Sequence, residues 1–290
     1  MSDMPLYVEL SLDGKTIRLN GRGGPSADGL VVEHAGVDGW YSTPDAKVSM
    51  TEMQTGDGAH AVQESAILYG ARTVTIPWAS VGASRDEAVT GLLRLLSTAH
   101  RMVRVRLVDD STDTYVEGYT QVGADPTYMR RGMTGTLTVV CPDPRRYSMK
   151  ASRVQLLPGS AVPGGLSYGA GDGLAYQLTY GGDPESLQNV ATIANSGTSA
   201  AYPAITVTGP MNGGFRIDWD GGSVAYSQPV RGVPLVLDCL TRTASIGGLD
   251  TSRHLTSRGF PSIPPGGSIT VNLQASGTGW ATVEWRDTYI

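Results

Sequence analysis

The chain has 290 residues and a net charge of -5, with 40% hydrophobic and only 17% charged residues. That length allows one large or two ordinary domains, and the apolar content excludes a disordered chain. No lysine-arginine run marks a nucleic-acid surface, no stretch reaches the length of a membrane span, and Met1–Pro5 lacks the basic and apolar regions of a signal peptide. The 38 glycines and 17 prolines disfavour long helices and point to strands and turns.

In the first half, alternation predicts strands at Leu6–Leu12, Thr16–Leu19, Leu30–Ala35, Arg72–Pro77, Val103–Val108, Thr114–Gln121 and Met133–Cys141. In the last of these, Met133, Gly135, Leu137 and Val139 share one face. The glycine-punctuated segment Gly56–Ile67 reads as a surface loop that makes contacts. One helix is predicted over Ser84–His100, with Ser84 and Glu87 as a capping box and Val89, Leu92, Leu93 and Leu96 as its apolar stripe.

"CPDPRRYS" at Cys141–Ser148 follows. Pro142 and Pro144 remove two backbone donors, so the preceding strand cannot continue. Pro144 also drives Asp143 into an extended conformation. Arg145 and Arg146 suit either a bidentate phosphate clamp or a pair with a carboxylate of the same or a neighbouring chain. No glycine nest or helix start accompanies them, which favours pairing. Together with Tyr147 these residues form an expected joint between two halves: an α+β domain over 1–148, a sheet with one long helix, and an all-β domain over 149–290.

The second domain begins with a glycine-rich arm, 159–182, containing a strand at Leu174–Tyr180. Strands are then predicted at Ala204–Thr208, Phe215–Trp219, Ser223–Ser227, Pro234–Leu240, Ser268–Gln274 and Trp280–Trp285. Asp220-Gly221 between two of them is a hairpin signal. Short strands at this spacing without helices read as an antiparallel β-sandwich. Trp219, Trp280 and Trp285 are a possible aromatic contact surface, of a kind that stacks on sugars, or else core and interface.

Signs of chemistry are few. His34, His60, His100 and His254 have no metal-ligand spacing, and Cys141 and Cys239 lie far apart, as free buried thiols do. Asp109, Asp110 and Asp113 offer oxygens to a cation or else make a polar hairpin tip. No catalytic residue, cofactor site or metal site is expected.

The order of these pieces resembles the distal tail protein (Dit) of long, non-contractile phage tails, the siphovirus-type tail component. The resemblance rests on an early Asp-Gly, "GARTVTIPW" at Gly70–Trp78, one helix and "CPDPRRYS", then "GGLSY" at Gly164–Tyr168, "NSGTSAAYPAITVTGP" at Asn195–Pro210, "LDCLTRTA" at Leu237–Ala244 and the closing stretch Ile263–Ile290. It implies an N-terminal ring-forming (belt) domain followed by a sandwich similar to galectins and carbohydrate-binding modules. It further implies a non-enzymatic hub at the distal end of the virion tail, made in the host cytoplasm. Six copies would form a homohexameric ring joining the tail tube protein to tail tip or baseplate hub proteins, with the tape measure protein and a host surface saccharide as further possible partners. Such a ring needs heterologous contacts that close by rotation.

Overall fold

A computed structural model describes residues 5–81, 85–97, 101–125, 132–158 and 189–290. The expected arm 159–182 with its strand at Leu174–Tyr180, the capping Ser84 and His100 lie outside the described residues. The chain divides into two compact units: one comprises residues 1–150 and Tyr289–Ile290, the other Ala151–Thr288. Among the described residues no helix is long and apolar enough to cross a membrane.

The first unit contains β1 (Tyr7–Leu12), β2 (Lys15–Asn20), β3 (Leu30–Val32), β4 (Arg72–Val81), α1 (Arg85–Leu96), β5 (Val103–Val108), β6 (Asp113–Asp125), β7 (Gly132–Cys141) and β8 (Arg146–Ser148), joined at the end of the chain by β20 (Thr288–Tyr289). β1 and β2 form a tight hairpin through Asp13 and Gly14, both at positive φ, as a two-residue loop of this hand requires. The strands pair in the order β6-β5-β1-β2-β3-β4-β7, and β7 pairs back with β6, so seven strands close into a barrel. β2 with β3 is the parallel pairing in this circuit. The closure was not expected from the alternation, which reads faces but not partners. Closing a sheet removes the unpaired edges that an open one presents.

Alternating residues of these strands, such as Val8, Leu10, Val74, Ile76, Val105 and Leu137, fill one core with the fully buried Trp40 and Trp78. α1 adds Val89, Leu92, Leu95 and Leu96 to that core. Leu95 thus replaces Leu93 in the expected stripe. Leu93 is only partly buried, because it sits about 100° around the helix from Leu92, at the margin of the apolar face. In β7 the expected face, Met133 through Val139, does turn inward.

Among its described residues the second unit is antiparallel throughout. One sheet has the order β10-β18-β12-β13-β17, built from β10 (Val190–Ala194), β12 (Met211–Trp219), β13 (Gly222–Tyr226), β17 (Leu255–Arg258) and β18 (Ser268–Gly277). The other has the order β16-β15-β14-β11-β19-β9, from β9 (Ser152–Leu156), β11 (Ala204–Thr208), β14 (Leu235–Asp238), β15 (Thr243–Ile246), β16 (Leu249–Asp250) and β19 (Trp280–Trp285). Both sheets turn alternate residues into a shared apolar core, including Ile217, Val224 and Val271 from one and Ile205, Leu237 and Val283 from the other. Asp220-Gly221 makes the tight β12–β13 hairpin, with Trp219 opposite Gly222.

Candidate functional site

The chemistry of the first unit concentrates around the proline turn. Arg72 opens β4 and is only 1% exposed. Its Nε donates to the Pro144 carbonyl at 2.7 Å. Its Nη1 donates to the carbonyls of Gly39, Trp40 and Ser42 at 2.7, 3.1 and 2.7 Å. One guanidinium therefore fastens the incoming 39–42 segment and the proline turn to the barrel wall. The close approach of that segment requires Gly39, which has φ +76 and where a Cβ would lie 2.0 Å from the Thr73 carbonyl.

Asp143 organises the turn itself. Its Oδ1 accepts from the Arg145 backbone N–H at 3.1 Å and from Arg145 Nε at 2.8 Å, while its Oδ2 accepts from the Tyr147 hydroxyl at 2.5 Å. Burial pushes the Tyr147 phenol above its usual range, and the hydrogen bond to Asp143 adds to the effect. The strand pattern resumes at once: Tyr147 and Ser148 stand opposite Tyr115 and Thr114 of β6. The stretch Pro142–Tyr147 thus belongs to the first unit, and the chain enters the second only after Lys150.

Arg146 is 8% exposed. Its guanidinium carbon lies 5.7 Å from the Tyr41 ring centre and 5.8 Å from that of Tyr289, cation–π distances. Its Nε is buried and has no hydrogen-bond partner among the described residues, and the same holds for Nη2 of Arg72. Burial lowers the Arg146 pKa, and the charges of Tyr41, Asp109 and Tyr289 act the other way. Burial, followed by repulsion from Arg146, takes Arg72 down to about 10, so it stays charged at neutral pH. Asp109 receives hydrogen bonds from the Tyr41 hydroxyl, the Ser111 and Thr112 backbone N–H groups and both their hydroxyls. Burial works to raise its carboxyl, but these bonds outweigh it and hold the group well below the usual carboxylate range. Burial takes the Cys141 thiol up to about 12 and so keeps it protonated.

The remaining expected residues are dispersed. Asp110 pairs with Arg22 at 3.0 Å and Asp113 with Arg106 at 2.7 Å, so with Asp109 they form a polar tip between β5 and β6. No metal-holding group of His, Cys, Asp or Glu occurs among the described residues. Trp280 and Trp285 point to opposite faces of β19: Trp280 is 36% exposed, whereas Trp285 packs on the core and donates to the Ala194 carbonyl at 2.6 Å. Trp219 also packs on the core and donates to the Gly259 carbonyl at 2.9 Å. The three tryptophans do not share a face. Sequence reasoning missed Arg72, Tyr41 and Tyr289. Each stands far along the chain from the turn it meets, and no spacing signals it.

This arrangement, a seven-stranded barrel unit followed in the chain by a two-sheet unit, is in fold that of a distal tail protein of the Dit type. One protein similar to it in fold is the SPP1 Dit protein, described as a paradigm of the hub adsorption apparatus in phages that infect Gram-positive hosts. It matches with a TM-score of 0.63 and 13% identity over 98% of this chain and 99% of that one. Phage P2 baseplate chains match less well: TM-score 0.47 and 9% identity for the calcium-activated form, 0.49 and 8% for the strontium form, each over 96% of this chain and 97% of the other. No family model and no curated protein matches the sequence.

Proposed function

We propose that the chain is a structural phage tail protein, a hub at the distal end of the tail that joins the tail tube to the baseplate or tip proteins. The observation that carries this reading is the likeness to SPP1 Dit across practically the whole of both chains. In this reading six copies form a ring through the barrel unit, the sandwich is the galectin-like unit presented to tip proteins, and the proline turn is the joint that fixes where the second unit begins. The segment after Tyr41 supports a role in assembly. It folds back on itself through hydrogen bonds such as His60 to Thr51 and Lys47 to Leu68, yet has no buried side chain among its described residues. It exposes Met50, Met53, Ile67 and Leu68. A two-stranded ribbon without a core is marginal alone in water, so contact with a neighbouring copy stabilises it.

The test has two parts. Light scattering on the purified protein should give six times the 30.5 kDa chain mass. Electron microscopy of purified particles with a labelled chain should place it at the tail end. A monomer in solution together with absence from tails would overturn the reading. Of the three tryptophans weighed for a saccharide-binding role, Trp280 alone is exposed, since Trp219 and Trp285 turn inward.

A further inference from the structure

We propose that Arg146 is a receptor for a single carboxylate, carried by an acidic side chain of a partner protein. A guanidinium presents five N–H donors in a rigid fork. Here the side chain is nine-tenths buried, and its Nε is enclosed with no hydrogen-bond partner among the described residues. A buried charge without hydrogen bonds is costly. The Tyr41 and Tyr289 rings offset the charge but accept none of the in-plane donors. Asp109 lies near enough to act on the charge, yet its oxygens are already taken by Tyr41, Ser111 and Thr112.

The other guanidiniums nearby are committed. Arg72 is spent on four carbonyls, and Arg145 is held by Asp143. Nε is the enclosed nitrogen of Arg146, and Tyr41, one of the two rings over the group, is 51% exposed. In this reading the terminal nitrogens face the side of that exposed ring, where a planar group can meet them edge-on.

The ligand class follows from charge. Two coplanar donors match the two oxygens of one carboxylate. The negative Asp109 close by disfavours a doubly charged phosphate. A lone arginine holds a free anion weakly, but a carboxylate delivered by a docked protein arrives at high effective concentration. The identity of the carrier rests on the assembly reading above; the anion site itself does not.

The experiment uses the full chain and two probes. Sodium acetate is titrated against sodium chloride at equal ionic strength while the first unit's thermal transition is followed. Acetate should raise it saturably, by on the order of 3–6 °C at ten times the dissociation constant. Inorganic phosphate should do less. Arg146→Gln should abolish the rise. Arg146→Lys, which keeps the charge and guards against a folding defect, should reduce it severalfold. Arg153→Gln, at an exposed pair with Glu284, should leave it unchanged. In assembled particles, a photocrosslinking residue in place of Tyr41 should capture a peptide of another chain that contains Asp or Glu. No saturable acetate effect, or one that survives in Arg146→Gln, would overturn the site. Acetate binding without any crosslink to another chain would overturn the protein-borne carboxylate. If the chain is absent from tails, the assembly reading falls, and the acetate titration alone decides the fate of the site.

Discussion

The two units solve the same problem, burying strands, in opposite ways. The barrel unit closes its sheet and then encloses two guanidiniums, Arg72 and Arg146, beside its apolar core. Among its described residues the sandwich leaves both sheets open and buries no charged side chain, only the polar Asn195 and Thr288. It manages its edges with short strands such as β16, two residues long. The contrast locates the part of the molecule built at an energetic penalty. Buried charge is seldom the stable choice, so its presence in one unit alone marks where positioning was favoured over stability.

Removing Arg72 should sharpen that contrast most. Arg72→Ala leaves the carbonyls of Pro144, Gly39, Trp40 and Ser42 without their donor. The expected loss is roughly 4 kcal/mol, seen in calorimetry as a lowered transition of the barrel unit with that of the sandwich in place. A single transition shifted as a whole would break the comparison.

The converse experiment is Leu237→Ala in the sandwich core. It removes a fully buried side chain and should cost roughly 3 kcal/mol. Urea unfolding followed by the sandwich tryptophans should shift, while barrel probes should hold.

Acid should act on the barrel unit first. The Asp109 carboxyl is held below its ordinary value in the folded state. Its contribution is therefore complete above the unfolded value of about 3.9 and is lost as pH falls through that value toward the folded one. Asp109→Asn should start less stable at pH 7 and show a flatter decline below about pH 4. Parallel curves for the two proteins would remove Asp109 from the account.

The smallest effect should come from Trp280→Ala. The side chain lies on the outer face of β19, so stability should fall by about 0.5 kcal/mol or less. Trp285→Ala, on the same strand but facing the core, should cost several times more. Equal effects would contradict the assignment of faces.

Much of this comparison was legible beforehand where it depends on local alternation. The bounds of β5, β11 and β19 match the sequence reading, and the polar tip at Asp109–Asp113 lies where its turn residues put it. Short strands without a clear period, such as β10, β15 and β17, gave no signal. Barrel closure was illegible because pairings such as Tyr7 with Val108 or Arg72 with Cys141 depend on distant segments that alternation does not match to one another. The candidate site was half legible. Asp143, Arg145, Arg146 and Tyr147 stand together in the sequence, but Tyr41, Arg72 and Tyr289 reach them only through the fold.

Besides its short pairing with β8, β6 serves two ladders of the barrel, and this sets an order in time. Residues 113–118 pair with β5, and residues 119–125 pair with β7. The changeover falls at Gly118, where a Cβ would lie 2.5 Å from the Val140 carbonyl. β5, β6 and β7 follow one another along the chain and can associate early. β1 and β4 must arrive from far upstream, and contacts of that kind slow folding. Until they do, a newly made chain carries a half-built sheet with two raw margins in a cell full of identical copies. The interval before the circuit closes, more than the stability reached afterwards, then governs how much of the protein is lost to aggregation.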